Sequence, residues 1–568
     1  MKSTSKMLRT CLLLVGMLVI PAQAAFGQTY TATFTGTVTD PNGSAVPNVR
    51  VVAVNQGTKL EYAARTSASG VYTIPFLPVG NYVLMIEASG FKKLVSNDIK
   101  LEVNQTARVD LRLEIGAVTE VVNVQDVAPI LQTESVTVGN VISGNTTVNL
   151  PLNGRNFQQL TLLVPGTINP NPNGFNSPTG QGRPYTNGNR EQGNAFLLDG
   201  ISVDETIDNR IGYKPNIDAI AEFRVETSNS SAEFGNVTGA TVNATMKSGT
   251  NEFHGNVFEF LRNDKFDANS WVNNRNNVSV KPKLRQSIFG GTIGGPIIKE
   301  KLFFFAAYQG IAQRTGGAGA AGVAPLAWRT GDLSAFSTPI RDPQKTGACN
   351  ANDRTACFPG NIIPANRIVN PVAIALFANP ALYPVPTRNQ AGTGVGLVDV
   401  VTANEFNSHQ VDAKIDWRIS DKDNFSGRYS FQRGTSEGVK GALPTNITGR
   451  SFQRPQNIAL NWTRTFSPTI VNEARIGFNR AVFISDFNDW AGVGNLNATV
   501  GIPGNQIIPG LSTVSAGNGV SFGSTGINED NVTNTFHYGD NLTILSGRHT
   551  FKMGGQWQRY QQNRFYPG

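Results

Sequence analysis

Within Asn407–Arg433 the chain reads His409-Gln410-Val411-Asp412-Ala413-Lys414-Ile415-Asp416-Trp417-Arg418, then Ile419-Ser420-Asp421-Lys422-Asp423-Asn424, then Phe425-Ser426-Gly427-Arg428-Tyr429-Ser430-Phe431-Gln432-Arg433. In the first arm Val411, Ala413, Ile415 and Trp417 alternate with Asp412, Lys414, Asp416 and Arg418. In the second, Phe425, Gly427, Tyr429 and Phe431 alternate with Ser426, Arg428, Ser430 and Gln432. Successive strand side chains point to opposite faces, so the pattern predicts a β-hairpin with one apolar and one polar face. A soluble sandwich does not easily explain the run of charged residues along the polar face of the first arm. Each arm covers about 9–11 residues, the length a tilted strand needs to cross a bilayer. The hairpin therefore predicts an outer-membrane β-barrel, with lipid outside and water inside.

The pattern repeats after Asn251. Expected strands are Phe253–Arg262, Leu284–Gly294, Leu302–Gln309, His409–Arg418, Phe425–Arg433, Asn457–Phe466, Val471–Val482, Asn534–Leu545 and His549–Tyr560. Short gaps (Pro296–Lys301, Ile419–Asn424, Ser467–Thr469, Ser546–Arg548) alternate with long ones (Asn263–Lys283, Gly310–Asn407, Gly434–Gln456, Phe483–Val532). Short inner turns and long outer loops are the parity of outer-membrane barrels. Phe303–Phe305, Tyr308, Trp417, Trp462, Trp557 and Tyr560 are candidates for interfacial girdles, buried core aromatics being the competing reading. The strand count is odd, whereas single-chain bacterial barrels have even counts, and an open membrane sheet leaves edge groups unpaired in lipid. The expectation is an incomplete antiparallel barrel, 250–568, in an N-terminal fragment of a longer protein or a truncated reading frame.

Composition agrees with export. Of 568 residues, 15% are charged, against about 25% in ordinary soluble domains. The formal charge is +8; Lys2, Lys6 and Arg9 lie in a candidate signal peptide, leaving 8 − 3 = +5. The remaining basic residues form no stripe, which argues against nucleic acid as a partner. Lys2, Lys6 and Arg9 precede the apolar run Cys11–Ile20 and the small-x-small site Ala22-Gln23-Ala24, so residues 1–24 read as a signal peptide. That run is too short to span a bilayer as a helix. Cys349 and Cys357 then remain for a loop-closing disulfide in an oxidising compartment. A metal site there is the weaker reading, since no histidine is near. His254, His409, His537 and His549 are isolated, and core, lumen or strand-end positions suit them better than ligation.

Upstream, residues 29–113 read as a small β-sandwich. Phe34–Thr39, Val49–Val54, Tyr72–Phe76, Tyr82–Ala88 and Val103–Leu113 are strands separated by turns such as Asp40-Pro41-Asn42-Gly43. Gly36-x-Val38-x-Asp40-x-x-Gly43-x-x-Val46-Pro47-x-Val49, Ser69-Gly70-x-Tyr72 and Pro78-x-Gly80-x-Tyr82 resemble a carboxypeptidase regulatory-like domain. No peptidase follows from that name, because a zinc peptidase needs His and carboxylate ligands and no histidine occurs before His254. A Val-rich connector follows, Thr119-Glu120-Val121-Val122-Asn123-Val124. It either adds to a partner's open sheet edge or forms the next domain's first strand.

Residues 116–249 hold that connector and a mixed α+β region. Gln158–Leu163 is expected to make one or two helical turns, Phe196–Asp204 a strand–turn–strand, and Glu222–Thr227 a strand. Four stretches resemble the plug and first wall strand of TonB-dependent outer-membrane receptors, in the same order. They are Leu150–Phe157, Leu197-Leu198-Asp199-Gly200, Ile220–Thr227 with Ala232-Glu233-Phe234-Gly235, and Lys247-Ser248-Gly249-Thr250-Asn251-x-Phe253-His254-Gly255. With the leading sandwich, the chain resembles the Oar-like branch. The resemblance implies energised uptake of a large or scarce ligand through a plugged barrel, with the inner-membrane TonB complex and outer-membrane lipid as partners. The ligand could be a siderophore, a glycan or a peptide. In such receptors the connector carries the TonB-contacting box, for which Thr119–Val124 is the candidate.

No enzyme and no cofactor are expected. Gly317-Ala318-Gly319-Ala320-Ala321-Gly322 matches a dinucleotide motif but opens no helix, and reads as a flexible loop. Asp421-Lys422-Asp423 reads as a turn, and Asp199, Asp204 and Glu205 as turn carboxylates rather than an acid–base pair or calcium site. No Ser/His/Asp order has supporting context. The alternative from another class is a secreted or surface-attached β-rich adhesion or carbohydrate-binding protein.

Overall fold

The computed structural model describes residues 31–566 apart from 97, 118–119, 125–133, 136, 170–182, 276–280, 391–393, 441–442, 447, 488–493, 505–508, 516–519 and 524–527. The expected signal peptide and Thr119 lie outside the described residues.

The wall is one antiparallel meander. Its strands are His254–Asn263, Lys283–Ile298, Leu302–Val323, Gly396–Arg418, Asp423–Lys440, Gln456–Ser467, Ile470–Asp486, Glu529–Ser546 and His549–Phe565. Each pairs with its sequence neighbour. The sixth is prolonged by Arg450–Gln453, past Pro455, which has no N–H to give the ladder. The first and ninth strands do not pair with each other, so the barrel is open.

Burial along these strands is inverted relative to a soluble sheet. In the fourth strand Asp412 and Lys414 are 0% and 4% exposed, while Ile415 and Trp417 are 45% and 42% exposed. The same holds for buried Arg428, Ser430, Asn457, Asn461, Glu473, Arg475 and Asn479 against exposed Tyr429, Leu460, Trp462 and Ile476. Sheets in water hide their apolar face; this one hides its polar face and shows the apolar one, as lipid requires. Trp417 pairs with Phe425, which pairs with Trp462, giving an aromatic row beside the short turns.

Three expectations are corrected. The third and fourth strands stay paired from Leu302–Trp417 up to Val323–Gly396, so the long gap contains much strand. Gly317–Gly322 is thus strand rather than flexible loop: its backbone pairs with Thr402–Leu397 although small residues leave no alternation to read. Of the girdle candidates, Phe303 and Phe305 are buried, and Phe305 packs in the core of the middle domain. Tyr560 pairs with buried Thr535 and so shares the inner face.

The N-terminal domain is a sandwich of two sheets closed over Phe34, Val38, Val51, Tyr72, Tyr82 and Leu84. Its first turn is tied by Asp40, whose carboxylate accepts the N–H groups of Asn42 and Ser44. A Cβ at Gly36 would meet the Val109 carbonyl at 1.9 Å, so only glycine permits this approach of the two strands. The sheet's edge strand is Val121–Val124, parallel to Lys93–Ser96. The connector is therefore not the next domain's first strand; it finishes the preceding sheet, where Lys93 N–H donates to the Glu120 carbonyl.

The middle domain has a five-stranded mixed sheet in the order Val138–Ser143, Ile220–Ser228, Thr241–Met246, Ala195–Leu198, Ile201–Ser202. Gly144–Asn149 is a short helix capped by Ser143, and Phe157–Leu163 a 3-10 helix capped by Asn156. Phe157, Phe196, Tyr213, Phe223 and Val242 fill its core.

Candidate functional site

The functional geometry is the seam between the middle domain and the inner face of the wall. Its centre is a tight hairpin turn. Asp199 and Gly200 have φ of +47° and +76°, the two positive values a two-residue I′ turn requires, and Asp-Gly is a favoured pair for it. The turn projects the Asp199 carboxylate, 1% exposed, onto the wall. There Arg428 Nε lies 2.8 Å from one carboxylate oxygen and Lys414 Nζ 3.7 Å from the other. Arg428 also donates to the Leu198 carbonyl at 3.0 Å, to Asn457 Oδ1 at 2.5 Å and to Ser430 Oγ at 2.7 Å. Lys414 donates to the Met246 carbonyl at 3.3 Å.

The polar seam continues on both sides. Tyr213 donates its hydroxyl proton to Asp412, and Gln410 donates to the Tyr213 oxygen at 2.7 Å and the Lys214 carbonyl at 2.8 Å. Asn457 donates to the Ser202 carbonyl at 3.1 Å, and Asn479 to the Asp204 carbonyl at 2.8 Å. On the first wall strand Asn256 donates to Asp218, which also holds Arg155 at 2.5 Å. Burial holds the Tyr213 hydroxyl well above its usual range, and nearby Asp412 adds to the shift. Such a seam fixes the domain mainly through directional polar contacts, with Phe305 and Ala307 of the wall as the apolar part of the contact.

Asp204 and Glu205, the other acids singled out in the sequence, serve the domain's own backbone. Asp204 accepts the Phe196 N–H at 2.9 Å, and burial pushes its carboxyl well up. Glu205 accepts the N–H groups of Ile207 and Asp208. Among the described residues no group of His, Cys, Asp and Glu is arranged to hold a metal. His254 and His549 begin strands, His537 is buried on the inner face, and His409 accompanies Tyr308 on the outer face. His409 thereby departs from the expected core, lumen or strand-end position.

Cys349 and Cys357 form a disulfide in the loop between the third and fourth wall strands, Cα atoms 5.1 Å apart. The outer loops share a small apolar core of Val323, Tyr383, Leu443, Leu496, Leu511 and Val520. Glu120, Val121 and Val122 sit at the sandwich edge, with Glu120 held by Lys92 at 3.3 Å.

Residues 245–568, more than half of the chain, match a family described as outer membrane beta barrel domain. The chain belongs to the outer-membrane β-barrel family. Residues 33–114 match the carboxypeptidase regulatory-like domain. This barrel chain is 29% identical over 316 residues to the TonB-dependent transporter Oar of Myxococcus xanthus, covering 54% of the chain and 29% of that protein. It thus spans under a third of that relative's length. Among solved structures it is similar to the outer membrane transporter YddB of Escherichia coli (TM-score 0.47, 10% identity, 75% of this chain, 48% of that one). It is also similar to the siderophore receptor PirA of Acinetobacter baumannii (TM-score 0.41, 12% identity, 75% and 48%). Family membership places the barrel chain in the outer membrane.

Proposed function

We propose that the chain acts as a TonB-dependent receptor/transporter, with the middle domain as plug. Ligand binds the outer loops and the plug's upper surface, the TonB complex pulls on the connector, and partial movement of the plug opens a path. The ligand class is a siderophore, glycan or peptide. No covalent step is needed, and we assign no catalytic residue. The observation that carries this reading is the polar seam: a stopper held by Arg428, Lys414, Asp412 and Asn457 is seated firmly yet can slide in a wet lumen. The connector's outer edge is also placed to accept a further strand, by the backbone pairing that links extended peptides to sheet edges. Single cysteines at Glu120 and Val121 should cross-link to a cysteine-bearing TonB C-terminal domain, increasingly as ligand-containing medium is added. No cross-link along the whole connector in an outer-membrane-inserted protein refutes the proposal.

A further inference from the structure

The N-terminal sandwich lies against the short-turn end of the wall. Thr73 Oγ1 is 3.2 Å from Thr550 Oγ1, at the start of the ninth strand. Asn251, which joins the plug's last strand to the first wall strand, donates its N–H to the Gly57 carbonyl at 3.0 Å and its side-chain amide to the Thr58 carbonyl at 2.7 Å. A second contact reaches the plug sheet. Val103 N–H donates to the buried Glu222 carboxylate, Lys100 Nζ lies 3.8 Å from the same group, and Asn104 meets Glu226 at 3.5 Å and Asn243 at 3.3 Å.

Between these contacts is a cavity of about 550 Å³. Leu60 and Tyr62 of the sandwich, Met246 and Lys247 of the plug, and Phe303 and Ser426 of the wall are among its lining. The cavity sits directly beneath the plug, on the side to which the plug must release anything it lets through. The sandwich is its floor. Polar contacts hold the floor, among them two carboxylates that burial desolvates. The connector strand Val121–Val124 belongs to the sandwich's own sheet, so tension on the connector acts on the sandwich before it reaches the plug.

We propose that the sandwich is a door across the inner mouth of the lumen, closed in this structure by the Asn251 and Glu222 contacts, and that passage requires it to swing off the plug. The proposal rests on the receptor reading for what passes, while the closure itself is a property of these contacts.

A cysteine reporter and a clasp test it in the full-length protein in the outer membrane. A Cβ on Gly57 stands 3.6 Å from Thr250 Cβ, within the range disulfides use. The pair Gly57→Cys and Thr250→Cys should oxidise spontaneously and fix the door shut. Ser426→Cys reports the cavity through its labelling by a membrane-impermeant maleimide offered from the periplasmic side. Labelling should be slow in the otherwise unchanged protein. It should rise about two- to tenfold when Asn251→Ala removes the side-chain hydrogen bond to the Thr58 carbonyl, and likewise in Glu222→Lys. It should fall to background once the clasp is oxidised, and return on reduction. Because Glu222→Lys alters a buried plug residue and can fail to fold, Asn251→Ala is the deciding variant. The door is overturned if labelling is the same in the clasped, unclasped and Asn251→Ala proteins, or if the Gly57 and Thr250 cysteines stay free under oxidising conditions. Supplying an energised TonB complex separates the two ideas. Faster labelling in unclasped protein supports both. Labelling that follows the clasp but never TonB leaves the door standing and removes the receptor reading.

Discussion

Arg428→Ala strips the plug–wall seam at its centre. It deletes the guanidinium contact to Asp199 at 2.8 Å and the hydrogen bonds to the Leu198 carbonyl, Asn457 and Ser430. Asp199 stays buried, with the Met246 N–H at 3.1 Å and Lys414 at 3.7 Å as remaining partners. Removing one member of a buried ion pair costs about 3–5 kcal/mol, because the other charge is left without compensation. If that cost falls on plug seating, the plug sheet opens about 150- to 5,000-fold more often. Hydrogen exchange reads this directly at the Met246 amide, which donates to Asp199, and along Ala195–Leu198. A double-mutant cycle isolates the pair: Asp199→Ala should cost less by about 1.5 kcal/mol or more when Arg428 is already gone. Additive single effects, within about 0.5 kcal/mol, would show that the two residues do not couple, and the seam as described would be wrong.

Other expectations follow the same logic. Burial lifts the Glu222 carboxyl from 4.5 to about 7, with Lys100 and Glu102 of the sandwich and Arg224 of its own strand nearby. The docked state therefore holds a proton that the undocked state releases between those values. Docking tightens as pH falls from 7 toward 4.5 and is weakest above 7, by up to about tenfold per pH unit. Spin-label distances between Lys59 and Lys299 should show this, and Glu222→Gln should flatten the dependence. Gly36→Ala drives a Cβ into the Val109 carbonyl and should lower sandwich stability by more than about 2 kcal/mol in denaturant titration. Ile415→Lys puts a charge on the exposed apolar face and should cost about 2–4 kcal/mol in folding into vesicles, whereas Ile415→Leu should cost little.

The wall was legible because membrane and pleat act on the same period. Between Val411 and Trp417 each position faces either lipid or plug, and the residue type records which. Above the bilayer that constraint stops. Gly316–Gly322 is as well paired as the rest, yet only its backbone carries the pairing, so nothing in its side chains announces a strand. Phe303, Phe305 and Tyr560 misled for a related reason: an aromatic near a strand end fits either face, and only strand parity decides. The seam was half legible. The charged face of the central hairpin and the Asp199-Gly200 turn were both visible, but their meeting was not, since Leu198 and Arg428 lie 230 positions apart. The connector's place at the sandwich edge had the same origin, because a short Val-rich strand carries no mark of which sheet it joins.

The central claim is that residues 411, 413 and 415 face hydrocarbon while 412 and 414 face the plug. Nitroxide labels placed singly along 409–418 of the protein in lipid bilayers test it through their collision rates with oxygen and with a water-soluble nickel chelate. Labels at 411, 413 and 415 should be open to oxygen and closed to the chelate, and labels at 412 and 414 closed to both, with a period of two. Chelate access at 411, 413 and 415, or loss of oxygen access there, would mean that this face meets water or protein rather than lipid.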